Sequence, residues 1–111
     1  MARSFKRLDS TTVAANTDTA LYTTPLATQA IVSTIVACNT GASDRTFRVA
    51  YVDSTNIADV TTDDYLLYDI TVTANNSYIA TIGITMAPQH TIMVRASHAE
   101  VVFNCYGEEI S

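Results

Sequence analysis

The sequence predicts an all-β protein: a single antiparallel β-sandwich of seven or eight strands, preceded by a short arm. Its 111 residues suffice for one domain with a sizeable core. Eighteen threonines favour strands, because the branched Cβ of threonine fits a pleated sheet. Apolar and polar residues alternate in short runs between turn-forming residues, and no stretch shows the helical period of about 3.6. An immunoglobulin-like and a jelly-roll arrangement both remain open.

The first nine residues differ from the rest of the chain in charge. Arg3, Lys6 and Arg7 supply half of the basic residues, whereas the chain from Leu8 onward has three basic and eleven acidic residues. We therefore predict a basic N-terminal arm over residues 1–9 and a β-sandwich domain over residues 10–111. Arg3, Phe5, Lys6 and Arg7 are its candidate partner-binding residues, with Phe5 as an apolar anchor. A frayed, solvated terminus is the alternative.

The predicted strands follow one another at regular spacing. Asn, Asp, Gly, Ser and Pro between the apolar runs supply the turns. The strands are expected over residues 11–15, 19–23, 29–39, 46–53, 65–73, 78–86, 91–97 and 99–110.

The strand predicted over residues 29–39 is apolar on both faces. Strict alternation places Ile31 and Ile35 on one face, and Val32, Val36 and Cys38 on the other. A strand in a two-layer sandwich normally exposes one face to solvent. We therefore predict that Val32, Val36 and Cys38 face a neighbouring subunit, unless both faces are covered within one chain.

Residues 54–64 form a long predicted loop without a clear period. Four aspartates, Asp53, Asp59, Asp63 and Asp64, lie in or beside it, but the DxDxDG spacing of a calcium loop is missing. A solvated acidic loop is the preferred interpretation. Loops of this length often carry binding sites, so its isolated apolar residues, Ile57 and Val60, join the subunit-interface candidates.

Motifs for catalysis, metals or cofactors do not occur in the sequence. His90 and His98 lack the spacing of zinc ligands, and the sequence contains neither a GxSxG elbow nor a phosphate-binding loop. We predict no enzyme, metal or cofactor. The acidic body disfavours nucleic acid, and no apolar run approaches the roughly 20 residues of a membrane span. Without a signal-peptide pattern, Cys38 and Cys105 are expected to be reduced, an inter-sheet disulfide being the alternative.

Four segments of the chain resemble a known group of proteins. They are TALYTTP (19–25), AIVSTIVACNTGASDRTFRVAYV (30–52), DYLLYDITVTANNSYIATIGITMAPQHTIMVRAS (64–97) and AEVVFNCYGEEI (99–110). Together they resemble small β-sandwich virion structural proteins of tailed bacteriophages, such as those of cyanophages. The chain departs from that pattern at Pro88-Gln89-His90, where a glycine-bearing turn is expected.

The resemblance implies a non-enzymatic component of the virion, assembled in the cytoplasm of a bacterial host. Its expected role is capsid decoration (cement), in which it binds the major capsid protein and stabilises the shell. It is expected to be a homo-oligomer and, by analogy with cement proteins, a trimer. A neck, tail or fibre component that binds other virion proteins is one alternative. A receptor- or carbohydrate-binding module is another.

Overall fold

The computed structural model describes residues 2–111 and confirms an all-β antiparallel sandwich with eight strands. The strands are β1 (Arg3–Thr12), β2 (Thr19–Thr23), β3 (Gln29–Asn39), β4 (Arg45–Val52), β5 (Tyr65–Val72), β6 (Ser77–Met86), β7 (Thr91–Ala96) and β8 (Val101–Ile110). Two single-turn 3-10 helices, Ile57–Asp59 and Thr62–Asp64, lie in the connection between β4 and β5.

The order of the strands distinguishes between the two predicted arrangements. One sheet has the order β1-β8-β3-β6 and the other β2-β7-β4-β5. The first strand thus pairs with the last, the second with the seventh, the third with the sixth and the fourth with the fifth. An immunoglobulin fold would place the first two strands side by side in one sheet. The nested pairing is that of a jelly roll.

The core lies between the inner faces of the two sheets. Phe47 of β4 meets Phe103 of β8 with ring centroids 5.9 Å apart, in the edge-to-face geometry that aromatic pairs prefer. Tyr78 of β6 also packs on Phe47, at 5.5 Å. The inward positions of β7 and β8 are fully buried, as their alternating sequences predict.

A β-bulge in β3 corrects the predicted faces of that strand. Its partners shift register between Val32 and Thr34, so the extra residue, Ser33, reverses the alternation. Val32 and Ile35 therefore share the inner face, and Val32 is only 1% exposed. The prediction that Val32 faces a neighbouring subunit is wrong, whereas Val36 and Cys38 do lie half-buried on the outer face.

The predicted free arm over residues 1–9 also needs correction, although Met1 lies outside the described residues. Residues from Arg3 onward belong to β1, which pairs with β8 along its whole length. Ala2 and Ser111 exchange backbone hydrogen bonds of 2.9 Å in both directions. The basic segment is an edge strand of the sandwich rather than an extension from it.

The acidic loop packs on its own sheet. Ala50, Val52 and Met93, on the outer face of β4 and β7, form a second buried cluster. Ile57, Val60 and Tyr65 pack against this cluster from outside. Ile57 and Val60 are therefore half-buried contributors to the fold, which removes most of the reason to assign them to a subunit interface.

All four edge strands carry an extra, bulged residue. Leu8 interrupts the register of β1 and Leu21 that of β2. In β5 and β6 the irregular segments contain Asp69 and Gly83, both with positive φ, of 52° and 68°. Bulges at edges hinder the pairing of one sheet with another. Any partner of this protein is thus better accommodated on a sheet face than along an edge.

Candidate functional site

The outer faces of the two sheets differ in charge and in how much of each is covered by other parts of the chain. On the β2-β7-β4-β5 sheet, the acidic loop covers one end and ion pairs occupy the other: Arg95 with Asp18 at 3.2 Å and Arg48 with Asp69 at 2.7 Å. On the outer face of the β1-β8-β3-β6 sheet, by contrast, the central apolar side chains of residues 36, 38, 79 and 102 are exposed or half-buried. This second face is the candidate functional site.

Four apolar residues form the centre of this face, here named the outer patch: Val36, Cys38, Ile79 and Val102. Strand pairing sets them together, because Val36 is opposite Ile79 and Cys38 is opposite Val102. Ile79 is 65% exposed, and the other three are half-buried. Their nearest cross-strand partners, Asn104 and Ser77, are uncharged. An exposed apolar patch with polar neighbours is typical of a protein-interaction surface.

A groove of about 530 Å³ lies beside the outer patch, towards β1. We name it the β1 groove and define it by Phe5, Arg7, Ile31, Ser33, Tyr106 and Glu108. Phe5 is 76% exposed and Tyr106 41% exposed, so both rings are available to a partner. Aromatic and arginine side chains are the residue types enriched at the energetic centres of protein interfaces.

Glu108 is nearly buried at the base of the groove and already has a partner. Arg3 binds it through two nitrogens, with Nε 3.2 Å from Oε2 and a terminal nitrogen 2.9 Å from Oε1. The fork of a guanidinium matches a carboxylate in this way. The hydrogen bond to Glu108 raises the pKa of Arg3. Glu108 is thus neutralised and does not make the groove acidic.

Lys6 also lines the groove, but its ammonium group is paired with a glutamate. Its Nζ lies 2.8 Å from Oε1 of Glu109. The other carboxylate oxygen of Glu109 accepts a hydrogen bond from the hydroxyl of the buried Tyr22. The hydrogen bonds from Lys6 and Tyr22 lower the pKa of Glu109. Burial and this same bond raise the pKa of Tyr22. Of the four residues predicted to bind a partner, Phe5 and Arg7 remain available, whereas Arg3 and Lys6 are held by glutamates.

Four outward apolar or aromatic residues were not among the predicted site residues: Ile31, Ile79, Val102 and Tyr106. Alternation did place Val102 and Tyr106 on the face opposite the inward Phe103, and Ile79 lies next to the inward Tyr78. Alternation was therefore the signal that could have identified Ile79, Val102 and Tyr106. Ile31 could not be found in this way, because the bulge at Ser33 reverses its face.

Among residues 2–111, no three His, Cys, Asp or Glu side chains are grouped so as to hold a metal ion. His90 contacts the hydroxyl of Tyr51 through Nδ1 at 2.8 Å, and His98 contacts Ser97 at 3.0 Å. Cys38 and Cys105 are free thiols on opposite faces of their sheet. In the described part of the chain, no helix has the length and hydrophobicity needed to cross a membrane.

One aromatic cluster lies on the opposite sheet. Tyr65 and Tyr68 meet edge to face at 5.0 Å, and the guanidinium of Arg48 lies 4.1 Å from the ring centre of Tyr68. Asp69 accepts a hydrogen bond from Arg48 at 2.7 Å, which lowers the pKa of Asp69. This is a small exposed surface with aromatic, cationic and anionic groups side by side.

Comparison with known proteins identifies no relative: no family model, no curated protein and no solved structure matches this chain.

Proposed function

We propose that this protein is a non-catalytic structural component of a tailed-phage particle that decorates the capsid by docking on the major capsid protein. The observation that supports this proposal is the uncharged, apolar outer patch on the outer face of the β1-β8-β3-β6 sheet. The bulged edges of both sheets favour docking through that face rather than strand addition. The sequence resemblance supplies the phage setting.

The dimensions of the face suit a contact that is repeated many times. The four strands are 10 or 11 residues long, and at about 4.8 Å between strands and about 3.3 Å per residue they provide roughly 650 Å² of sheet surface. A standard protein interface buries about 800 Å² on each partner. One such contact is therefore weak by itself, but an oligomer that binds several capsid subunits at once gains affinity through effective concentration.

The number of copies per particle tests this role. Quantitative mass spectrometry of purified particles should find hundreds of copies of a capsid decoration protein. A neck, tail or fibre component would occur in roughly a dozen copies or fewer, because those structures follow low-order rotational symmetry. Absence of the chain from intact particles would contradict both roles.

Substitution of Ile79 tests the assigned surface. Ile79→Lys introduces a charge at an exposed position, so folding should be preserved while particle occupancy falls at least tenfold. Leu26→Lys is the matched control, because Leu26 is 73% exposed on the turn between β2 and β3, away from the outer patch. Equal occupancy of the two variants would exclude the outer patch as the docking surface.

A carbohydrate-binding module is the second candidate, and the cluster of Tyr65, Tyr68 and Arg48 favours it. The exposed ring of Tyr68, beside the half-buried Tyr65 and fixed charged groups, is suited to contact sugar rings and hydroxyls. Binding of the isolated protein to a glycan array, lost in Tyr68→Ala, would support this function. Failure to bind any glycan on the array would leave decoration as the better proposal.

A further inference from the structure

We infer that the β1 groove binds the acidic loop of a second copy of this chain, so that the isolated protein self-associates. For this contact, the acidic loop of residues 54–64 is taken together with Asp53, which precedes it, and Leu66 at the start of β5. This inference goes beyond capsid docking and does not depend on it, because it concerns the isolated protein. It rests on three observations: the distribution of ion pairs, the composition of the two surfaces and their positions in the fold.

The first observation is that nearly all positive charge is neutralised within the chain. Five of the six basic residues form ion pairs with carboxylates: Arg3 with Glu108, Lys6 with Glu109, Arg45 with Glu100, Arg48 with Asp69 and Arg95 with Asp18. Arg7 is the exception among residues 2–111; its guanidinium contacts the amide oxygen of Asn104 at 3.3 Å. The one uncompensated guanidinium therefore lines the β1 groove.

The second observation is that the acidic loop has the complementary composition. None of its four aspartates pairs with a lysine or arginine among the described residues, Asp53 having only a 3.7 Å contact with His90. Leu66 is 43% exposed and lines one depression together with Asp63 and Asp64. The loop thus presents an apolar side chain beside carboxylates, and the groove presents apolar walls beside a guanidinium.

The two surfaces also match in their apolar parts. Phe5, Ile31 and Tyr106 are apolar walls of a groove of about 530 Å³, and Leu66 is the exposed apolar side chain of the loop. Burial of that leucine in the groove would stabilise the contact. A charged hydrogen bond between Arg7 and a carboxylate would set the orientation of that contact and raise its rate of formation.

The third observation is that the two surfaces are separate and lie near the same end of the sandwich. The groove opens on the outer face of the first sheet, where Ile31 is one of its walls. Thr85 of β6, the cross-strand partner of Ile31, lines the depression that contains Asp63, Asp64 and Leu66. A second copy can therefore bring its loop to the groove, either in a reciprocal pair or in a ring or filament.

A charge exchange tests the contact in the isolated protein. Sedimentation velocity of the wild type should show concentration-dependent association that weakens as salt is raised, because salt screens the ionic part of the contact. Arg7→Glu and Asp63→Arg should each weaken association at least tenfold. The double variant should recover most of that loss, because it restores opposite charges across the contact.

Matched variants separate the specific contact from a change in net charge. Asp44→Arg makes the same charge change as Asp63→Arg on the turn between β3 and β4. Each aspartate accepts one hydrogen bond, Asp63 from the hydroxyl of Thr61 and Asp44 from the amide of Ala74. Asp44→Arg should associate like the wild type, and far-ultraviolet circular dichroism should show that every variant is folded.

Three results would overturn the inference. They are a wild type that stays monomeric up to about 1 mM, single variants that associate like the wild type, and a double variant no better than either single one. None of these results bears on capsid docking, which is measured on particles with Ile79→Lys.

Discussion

Gly107 in β8 lies directly against the carbonyl oxygen of Ile31 in β3. A Cβ atom built on Gly107 would lie 1.9 Å from that oxygen and 2.9 Å from its carbon. The close approach coincides with the bulge at Ser33, whose hydroxyl donates to the carbonyl of Tyr106 at 3.1 Å. Only glycine fits where the two backbones are this close.

Gly107→Ala should therefore be strongly destabilising. Backbone atoms must move to admit the methyl group, and we expect a loss of about 3 kcal/mol in the free energy of unfolding, the upper end for overpacking. Urea denaturation measures this change. Gly83→Ala is the control, since no atom lies within 4 Å of a Cβ there and only the positive φ of 68° is strained, a cost of about 1 kcal/mol. Equal losses in the two variants would contradict the steric argument.

Asn39→Ala should also unfold more easily, because Asn39 links three backbone segments from a buried position. Its Nδ2 donates to the carbonyls of Ser43 and Val72 at 2.7 and 3.1 Å, and its Oδ1 accepts from the amide of Gly41 at 2.9 Å. Truncation leaves these groups unpaired, at a cost of about 2–3 kcal/mol in unfolding free energy.

The substitution Asn39→Asp separates hydrogen bonding from packing. Aspartate preserves the volume and the acceptor, but its second oxygen faces the carbonyls of Ser43 and Val72. We expect Asn39→Asp to be at least as unstable as Asn39→Ala at pH 7 in urea denaturation, and to regain stability in acid as the carboxylate is protonated. Wild-type stability in Asn39→Asp at pH 7 would show that these donor contacts are unimportant.

Glu109 should make stability depend on pH in the acid range. Lys6 and Tyr22 lower its pKa in the folded state below the ordinary value of 4.5. A carboxylate whose pKa is lower in the folded state stabilises the fold fully at pH values above its pKa in the unfolded state. This stabilisation is lost as the pH falls through its pKa in the folded state. The stability difference between the wild type and Glu109→Gln should thus be constant above about pH 5 and shrink below about pH 4.5.

Lys6→Met is the matched variant for this effect, because Lys6 is the largest cause of the lowered pKa. Chemical denaturation at a series of pH values should show a weaker acid dependence in Lys6→Met than in the wild type. An unchanged acid dependence in both Glu109→Gln and Lys6→Met would assign the effect to other carboxylates.

The two cysteines should differ in reactivity. Cys38 lies half-buried on the outer face, whereas Cys105 is fully buried and burial raises its pKa to about 11. The thiolate is the reactive form, so a maleimide should label one thiol in the native protein and two in guanidinium. Mass spectrometry counts the labels. Cys38→Ser should remove the native label, and rapid native labelling of Cys105 would contradict its burial.

Local sequence patterns account for most of the secondary structure. Alternation in residues 101–106 and 91–96 correctly separates inward from outward side chains, because neither strand is bulged there. The same rule fails for β3, where one extra residue at Ser33 exchanges the faces of Ile31 and Val32. A bulge leaves no clear mark in the strand that contains it, since it depends on the partner strands.

The ion pairs of the basic segment could not be predicted from the sequence either. Its composition resembles that of a free arm, and nothing in residues 1–9 identifies Glu108 and Glu109 as partners. Those glutamates are about a hundred positions away in sequence. The pairing of β1 with β8 brings them together and converts an apparent basic arm into a nearly neutral edge strand.

The sequence by itself determined the fold class, the approximate strands and the absence of recognisable catalytic motifs, because these depend on periodicity and local spacing. Tertiary structure decided the jelly-roll order, the face on which Val32 lies, and which cations remain free. Those properties depend on long-range pairing and register, and a shift of one residue in register moves a side chain from the core to the surface.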